Sequence, residues 1–176
     1  MIFKELKLRG IWLIKIEEHK DERGFLARTF CNEEFKQHGI DFDMVQCNLS
    51  HNKKKGTLRG MHFQNPPYEE AKIVTCMKGA IYDVIIDLRR ESATYGNFSA
   101  LELRDDDYRM LYIPEGFAHG FQTLEDNTLV YYQMSEFYHV EAAKGIRWND
   151  PLFKILWPLA VKIVSKKDLS YPDFQK

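Results

Sequence analysis

Residues 71–88 read AKIVTCMKGAIYDVIIDL, and this stretch indicates the fold more clearly than any other part of the chain. It holds two strand-like runs, 71–78 and 80–88, joined at Lys78-Gly79, a pair typical of a tight turn. Because side chains alternate along a strand, the second run has two apolar faces, one of which also carries carboxylates. The faces consist of Tyr82, Val84, Ile86 and Leu88 on one side and Ile81, Asp83, Ile85 and Asp87 on the other. A carboxylate on a face that also carries isoleucines is expected either to reach the rim of a barrel or to face a polar cavity.

Short strand-like runs continue on both sides of this hairpin, at a regular pitch and with turn residues between them. We predict strands at 44–50, 57–63, 71–78, 80–88, 98–104, 109–113, 117–124 and 127–135. Two β-type runs lie in residues 1–16, a turn in DERGF (21–25), and one helix at 32–39, capped by Asn32 and ended by Gly39. After Tyr138 the pattern becomes irregular and aromatic-rich. Such a series predicts an all-β protein, an antiparallel sandwich or barrel with short peripheral helices.

Length and composition set limits on the class of protein. The 176 residues fit one domain, over residues 1–176, and 44% hydrophobic with 29% charged residues is ordinary for a globular chain. A net charge of −1 argues against a general nucleic-acid binder. Apolar runs are too short to cross a bilayer and the first residues keep returning to charge, so we expect a cytoplasmic protein without a membrane anchor. Three cysteines at long spacings are expected to stay reduced.

Polar side chains cluster just before the hairpin. A basic turn, Lys53–Lys55, leads into a short strand with Arg59 and His62, and Lys72 opens the next strand. A strand that only packs alternates apolar with solvated residues, so a fixed cation beside a titratable imidazole indicates a functional site. Arg59 and His62 differ in parity. If both face one cavity, the strand must be irregular near Gly60, for example through a bulge.

A histidine pattern raises the possibility of a metal site. Residues 113–121, IPEGFAHGF, contain a PxGxxH motif ending in His119, which suggests the cupin superfamily, many of whose members hold a metal with an HxH…E…H set. The second position of the HxH pair is Gln64 in this chain. Only His62, His119 and one of Glu69 or Glu70 would remain, which is a poor set of ligands. The sequence therefore predicts no metal.

Without a metal, a histidine, a lysine, an arginine and a tyrosine in an apolar-walled barrel suit proton transfer beside a carbonyl. A neutral histidine can take a proton from the neighbouring carbon, especially when a carboxylate fixes its tautomer. A lysine can stabilise the enolate oxygen, and a phenol on the far side can return a proton with inversion. Arginines can hold a diphosphate.

Five segments carry a resemblance to a known family: GTLRGMHFQ (56–64), EEAKIVTCMKGAIYDVIIDLR (69–89), YIPEGFAHGFQTLED (112–126), VYYQMSEFY (130–138) and IRWNDPLFKILWP (146–158). In order and spacing they resemble the sugar-nucleotide epimerases typified by dTDP-4-dehydrorhamnose 3,5-epimerase, from about residue 10 to residue 168. The resemblance implies a cupin jelly roll without a cofactor. It also implies a homodimer with exchanged N-terminal strands, and a nucleoside diphosphate 4-keto-6-deoxyhexose as substrate.

The resemblance further implies roles for individual residues. His62 would be the base, Asp168 its paired carboxylate, Tyr132 the acid on the opposite face and Lys72 the group that steadies the enolate. The remaining matches concern substrate binding. They are Arg59 at the diphosphate, Arg23 from the partner subunit with Phe25 beside it, Gln46 and Asn48 near the nucleotide, and His119, Tyr138 and Asp83 around the pocket.

The sequence also departs from the family pattern. Arg28 stands where many members have an acidic residue, and Asn52 stands where serine is common. His139-Val140 with Ala143 replaces a segment that often carries proline and glutamate. These changes concern the nucleotide side, so the sequence leaves the nucleotide open, together with inversion at C3 alone or at C3 and C5.

Other functions fit the same residues. A 3,4-ketoisomerase would use a similar barrel and substrate, and a non-catalytic cupin would only bind a sugar nucleotide. A metal-dependent oxygenase is a more distant possibility, because the ligand set is poor.

Overall fold

The computed structural model describes residues 1–175, which form mainly β-strands with two short helices. The elements in chain order are β1 (Ile2–Glu5), β2 (Trp12–Lys15), β3 (His19–Asp21), β4 (Gly24–Leu26), α1 (Asn32–Gln37), β5 (Gln46–Asn52), β6 (Leu58–Gln64), β7 (Lys72–Lys78), β8 (Ala80–Asp87), β9 (Phe98–Arg104), β10 (Arg109–Ile113), β11 (Phe117–Thr123), β12 (Thr128–Met134), β13 (Ala143–Gly145) and α2 (Lys166–Leu169). Each of the eight predicted strands from residue 44 onward lies within two residues of an observed strand at both ends. The all-β, antiparallel fold class is confirmed.

Two antiparallel sheets pack face to face. The first has the order β1-β2-β10-β7-β12-β5 and the second β13-β6-β11-β8-β9, while β3 and β4 form a separate hairpin at the predicted DERGF turn. Strands of both sheets contribute to one core between them, which includes Val74, Leu111 and Val130 from the first and Ile81 and Ile85 from the second. This is the arrangement of a jelly roll, in which the interior is shared by the two inner faces.

The outer faces of both sheets are also covered. Phe35 of α1 packs on the first sheet in a cluster with Ile14 and Met110. On the second sheet, Val84 and Ile86 pack against Phe153 of the irregular tail. The two faces predicted for β8 are thus confirmed, because Ile81 and Ile85 point between the sheets while Val84 and Ile86 point outward to the tail.

The helix at 32–37 ends as predicted but begins differently. Gly39 has φ +72°, a left-handed conformation that suits glycine after a helix, and its N–H donates to the Lys36 carbonyl at 3.0 Å. The prediction of Asn32 as the cap is wrong. Cys31 holds the capping position in extended backbone without a side-chain hydrogen bond, and Asn32 is already the first helical residue.

The N-terminal strand lies at the edge of the first sheet. β1 pairs with β2 of the same chain, and its outer edge has no neighbour in that sheet within residues 1–175. No helix in this described part of the chain is long and apolar enough to cross a membrane.

Candidate active site

A cavity of about 880 Å³ opens between the two sheets. Side chains of β5, β6 and β12 border it, together with Lys72 at the start of β7 and His119 of β11. A segment of the tail, residues 163–171, covers one side, and we call it the C-terminal strap. The strap is attached to the barrel by hydrogen bonds from the Leu58 N–H to the Ile163 carbonyl at 2.8 Å and from the Lys162 N–H to the Gly56 carbonyl at 2.9 Å.

The strand β6 is irregular where the sequence predicts it. His62 pairs with His119 and Arg59 with Phe121, so three steps along β6 match two along β11. Gly60 lies inside this bulge with φ +140°, and a Cβ at that position would lie 2.5 Å from the Gly120 Cα. Only glycine fits so close to the next strand. As a result Arg59 and His62 border the same cavity despite their opposite parity.

His62 is paired with the carboxylate of Asp168. Its Nε2 lies 2.8 Å from Asp168 Oδ1, and the Gly60 N–H donates to Asp168 Oδ2 at 3.3 Å. The helix α2 holds the carboxylate in place, since the Asp168 N–H donates to the Ser165 hydroxyl at its start, at 3.0 Å. Asp168 is 4% exposed, whereas the His62 side chain is 42% exposed and open to the cavity.

The electrostatics of this pair favour an ionised carboxylate. Burial alone would raise the pKa of Asp168, but the hydrogen bond and charge of His62, with the bond from Gly60, outweigh it and bring the pKa below its ordinary value. A carboxylate that stays ionised fixes the imidazole ring and stabilises its protonated form. The arrangement is therefore suited to a histidine base.

Tyr132 stands on the opposite wall of the cavity. It belongs to β12 of the first sheet, whereas His62 belongs to β6 of the second. Burial raises the pKa of Tyr132, and the negative charge of Glu70 raises it further, while Arg59 acts in the opposite direction. The phenol thus stays protonated at neutral pH and is available as an acid.

Lys72 borders the cavity in an ion pair with Glu70. Its Nζ lies 2.5 Å from Glu70 Oε1, and both side chains are at least nine-tenths buried. The two residues are separated by two positions, so strand geometry places them on the same face. The second Glu70 oxygen, Oε2, is buried without a hydrogen-bond partner among residues 1–175.

His119 has a carboxylate partner of its own. Its Nε2 lies 2.6 Å from Asp83 Oδ1, and Asp83 is fully buried. His119 borders the cavity, while Asp83 lies behind it and is not part of the lining. Asp83 therefore does not face the cavity itself. It lies beside the cavity and is bonded to His119 in its wall.

Several polar residues surround the remaining part of the cavity. Arg59 is exposed, and its Nε donates to the Asn52 side-chain oxygen at 2.7 Å. Gln46 and Asn48 border the cavity from β5, and the Tyr138 N–H donates to Gln46 Oε1 at 3.2 Å. These side chains offer donors and an aromatic face to a polar ligand.

Arg23 and Phe25 do not border the cavity of their own chain. They lie on the β3–β4 hairpin, where Arg23 is exposed and paired with Asp21, and the Phe25 ring contacts Tyr108 with centroids 5.1 Å apart. Arg28 also lies away from the cavity, where it pairs with Glu34 at 2.7 Å. Of the departures from the family pattern, Ala143 is the one that borders the cavity.

Among the residues of the cavity wall that the sequence reasoning missed are Glu70 as a partner of Lys72, and Lys167 and Tyr171 of the C-terminal strap. Lys167 Nζ donates to the Tyr138 hydroxyl at 3.3 Å, and the Tyr171 ring lies edge-on to His62 with centroids 5.9 Å apart. The Ser165-x-x-Asp168 spacing was a readable signal for the start of the strap helix.

The metal-binding side chains of the described residues do not converge on one point. Within residues 1–175, no group of three or more His, Cys, Asp or Glu side chains is placed to hold a metal ion. His62 and His119 instead each turn a ring nitrogen to a carboxylate, His62 to Asp168 and His119 to Asp83.

Comparisons with known proteins agree with one another. The family model described as dTDP-4-dehydrorhamnose 3,5-epimerase matches residues 5–176. A dTDP-4-dehydrorhamnose 3,5-epimerase from Methanothermobacter thermautotrophicus is 41% identical over 172 residues, which cover 96% of this chain and 92% of that protein.

Two solved structures illustrate the structural similarity. The Bacillus anthracis dTDP-4-dehydrorhamnose 3,5-epimerase, solved with TDP and PPi bound, is similar with a TM-score of 0.95 and 36% identity over 98% of this chain and 99% of that one. ChmJ, a 3′-monoepimerase from Streptomyces bikiniensis solved with dTDP-quinovose, is similar with a TM-score of 0.88 and 29% identity over 96% of this chain and 86% of that one.

Proposed function

The chain belongs to the dTDP-4-dehydrorhamnose 3,5-epimerase family and is an isomerase, and we propose that it inverts C3 and C5 of dTDP-4-dehydro-6-deoxy-D-glucose by proton transfer alone. One observation carries the proposed mechanism. The His62–Asp168 pair and the Tyr132 phenol stand on facing sheets across a single cavity. A base on one side of a carbon and an acid on the other is the arrangement that inversion requires.

The first proposed step is removal of a proton by His62. Its Nε2 is engaged with Asp168, so Nδ1 is the nitrogen that accepts the proton from the carbon next to the C4 ketone. The electron pair of that C–H bond moves into a C=C bond, and the carbonyl electrons move onto the oxygen. Asp168 stabilises the imidazolium, and Lys72 stabilises the enolate oxygen.

The second proposed step is delivery of a proton by Tyr132 from the opposite face. The enolate collapses to the ketone, the carbon takes the phenolic proton, and its configuration is inverted. Tyr132 then regains a proton from water, and His62 releases one. A positioned acid or base contributes about 10²–10⁴ in rate, and one oxyanion donor about 10²–10³, so no single residue supplies the whole effect.

The polar rim of the cavity is proposed to hold the nucleotide. Arg59 and Lys167 offer positive charge for the diphosphate, and Gln46, Asn48 and Tyr138 offer amides and an aromatic ring for the nucleoside. The Bacillus anthracis relative, solved with TDP and PPi, supports a nucleotide ligand of this type. Thymidine is the base that the family suggests for this chain.

We also propose that the chain forms a homodimer with exchanged N-terminal strands. The β3–β4 hairpin exposes Phe25 and, to 77%, Leu26, while Leu49 and Met77 are exposed on the first sheet. The exposed apolar side chains of the hairpin, together with the outer edge of β1 in the first sheet, are suited to contact with a second copy of the chain. In such a dimer Arg23 and Phe25 reach the partner's cavity.

Deuterium exchange tests the proposed reaction. The protein is incubated with dTDP-4-dehydro-6-deoxy-D-glucose in D₂O, and the sugar is followed by NMR. Deuterium at both C3 and C5 is expected, whereas deuterium at C3 alone would restrict the reaction to one centre. A 3-keto product would indicate a ketoisomerase, and binding without exchange would contradict the proposal.

A further inference from the structure

Glu70 is a cavity residue in which only one of the two carboxylate oxygens has a partner within residues 1–175. Oε1 lies 2.5 Å from Lys72 Nζ, while Oε2 is buried without a hydrogen-bond partner in the described part of the chain. The side chain is 5% exposed and borders the cavity. A buried acceptor without a donor is unfavourable, so this oxygen is suited to a ligand that brings a donor.

The backbone next to Glu70 is firmly held. The Ala71 N–H donates to the Ser135 hydroxyl at 2.8 Å, and the Ser135 N–H donates to the Ala71 carbonyl at 3.1 Å. These bonds tie the start of β7 to the end of β12. The Glu70–Lys72 pair therefore stands in a fixed position, as specific recognition requires.

The pair presents one donor and one acceptor side by side. Lys72 donates through its ammonium group, and Glu70 accepts through its carboxylate. The proposed substrate offers the complementary pattern, because its C4 ketone accepts and the hydroxyl on C3 donates. C5, the carbon on the other side of the ketone, carries a methyl group and the ring oxygen and has no hydroxyl. The pattern thus distinguishes the two sides of the ketone.

We propose that Glu70 is a specificity-determining residue that accepts a hydrogen bond from the C3 hydroxyl while Lys72 donates to the C4 ketone oxygen. The inference rests on the proposed function, because it assigns an orientation to that substrate. The neighbouring charges support it, since Lys72 already balances the Glu70 charge and Arg59 lies in the same cavity.

The test compares two substrates in two variants. One substrate is dTDP-4-dehydro-6-deoxy-D-glucose and the other its 3-deoxy analogue, and the rate measured is deuterium uptake at C5 in D₂O, which both allow. The variants are Glu70→Gln, which keeps the shape but removes one acceptor oxygen and the charge, and Glu70→Ala. Glu69→Gln is the matched control, because Glu69 is adjacent but does not border the cavity.

The expected result is a loss that depends on the substrate. Each Glu70 variant should slow C5 exchange of the hydroxylated substrate about 10- to 100-fold more than that of the 3-deoxy analogue, the effect of one hydrogen bond to a charged group. Glu69→Gln should change neither rate. If Glu70→Ala fails to fold, as its melting curve would show, Glu70→Gln decides.

Equal slowing of both substrates would overturn the proposal, because Glu70 would then act only by holding Lys72. Equal rates with both substrates in the unchanged protein would overturn it as well. Failure of the proposed function itself would look different, since the unchanged protein would then exchange neither C3 nor C5 of the hydroxylated substrate.

Discussion

Single residues set the chemistry of the cavity through their immediate partners. His62 is open to the cavity on one side and bonded to a buried carboxylate on the other, so its ring is held in one orientation. A histidine bonded to an ionised carboxylate is suited to accept a proton, because the carboxylate stabilises the imidazolium that forms. The same carboxylate also accepts a bond from Gly60, which ties the base to the bulge of β6.

Asp168→Asn tests this partnership. An asparagine keeps the size of the side chain but cannot stabilise the imidazolium, so the epimerisation rate should fall about 10²–10⁴-fold, and a melting curve checks that the variant is folded. The control is Asp173→Asn, the same change at an exposed ion pair with Arg147 in the same tail. A rate within a few-fold of the unchanged protein would show that His62 does not depend on the carboxylate.

Some of these residue-level facts can be predicted from the sequence and others cannot. Arg59, His62 and Lys72 stand out because polar side chains interrupt a strand-like pattern, and the parity conflict predicts the bulge correctly. Glu70 was as readable as Lys72, two positions away on the same face, but an acidic residue before a strand looks solvated. The burial of Oε2 is visible only in the folded chain.

At the scale of elements, the bulge of β6 depends on glycine. The free energy of unfolding should be about 2 kcal/mol lower for Gly60→Ala than for Gly24→Ala. Both glycines have positive φ, but only a Cβ on Gly60 would lie against Gly120 of the next strand. A Cβ on Gly24 meets nothing within 4 Å. Urea unfolding of both variants measures the difference. Equal losses would show that the close approach to Gly120 is unimportant.

The end of β8 depends on a buried carboxylate. Asp87 is fully buried and bonded to Arg89 at 2.8 Å, Ser92 at 2.7 Å and Thr94 at 2.6 Å. Burial alone would raise its pKa, but these bonds lower it from 3.8 to about 2. At pH values above the pKa of the unfolded chain, the ionised form therefore stabilises the fold by about 2 kcal/mol. This stabilisation is lost as pH falls from about 4 to 2.

Asp87→Asn should therefore lower the unfolding free energy in a pH-dependent way. The difference in unfolding free energy between the variant and the unchanged protein should be largest at about pH 6. It should shrink between about pH 4 and 2, where the carboxylate of the unchanged protein becomes protonated. Urea unfolding at several pH values measures it. A gap that stays constant over this range would mean that the charge of Asp87 does not stabilise the fold.

The elements differ in how far the sequence predicts them. The strands from residue 46 to 134 were predictable because short strand-like runs follow one another at a regular pitch with turn residues between them. For helix α2 only the start was readable, from the Ser165-x-x-Asp168 spacing. The strand β13 was not predictable, since the tail has no periodic pattern and its course follows the surfaces that Phe153 and Trp157 cover. The contact between Asp168 and His62, 106 positions apart, is a product of that course.

At the scale of the whole molecule, each of the two sheets contributes different side chains to the cavity. The second sheet carries His62 and the first carries Tyr132 and Lys72, so the packing of one sheet on the other sets the distance between the proposed base and the proposed acid. The β3–β4 hairpin and the edge strand β1 lie outside this pairing. They are the parts of the chain that the proposed dimer would use.

Mixing two inactive variants tests the dimer. If Arg23 acts in the partner's cavity, Arg23→Ala and His62→Ala should each lose activity. Equal amounts of the two variants, unfolded and refolded together, should regain about a quarter of the activity of the unchanged protein. Half of the dimers then contain one chain of each variant, and each of these has one intact site out of two. The mass in solution should be twice the 20.8 kDa of one chain. A monomer, or a mixture that stays inactive, would contradict the shared site.

If His62 and Tyr132 act from opposite faces of the sugar, deuterium uptake and inversion should become separable in Tyr132→Phe. In D₂O this variant should still exchange protons next to the ketone while forming little of the inverted sugar, and His62→Ala should do neither. Full inversion by Tyr132→Phe, or exchange that survives in His62→Ala, would contradict the account.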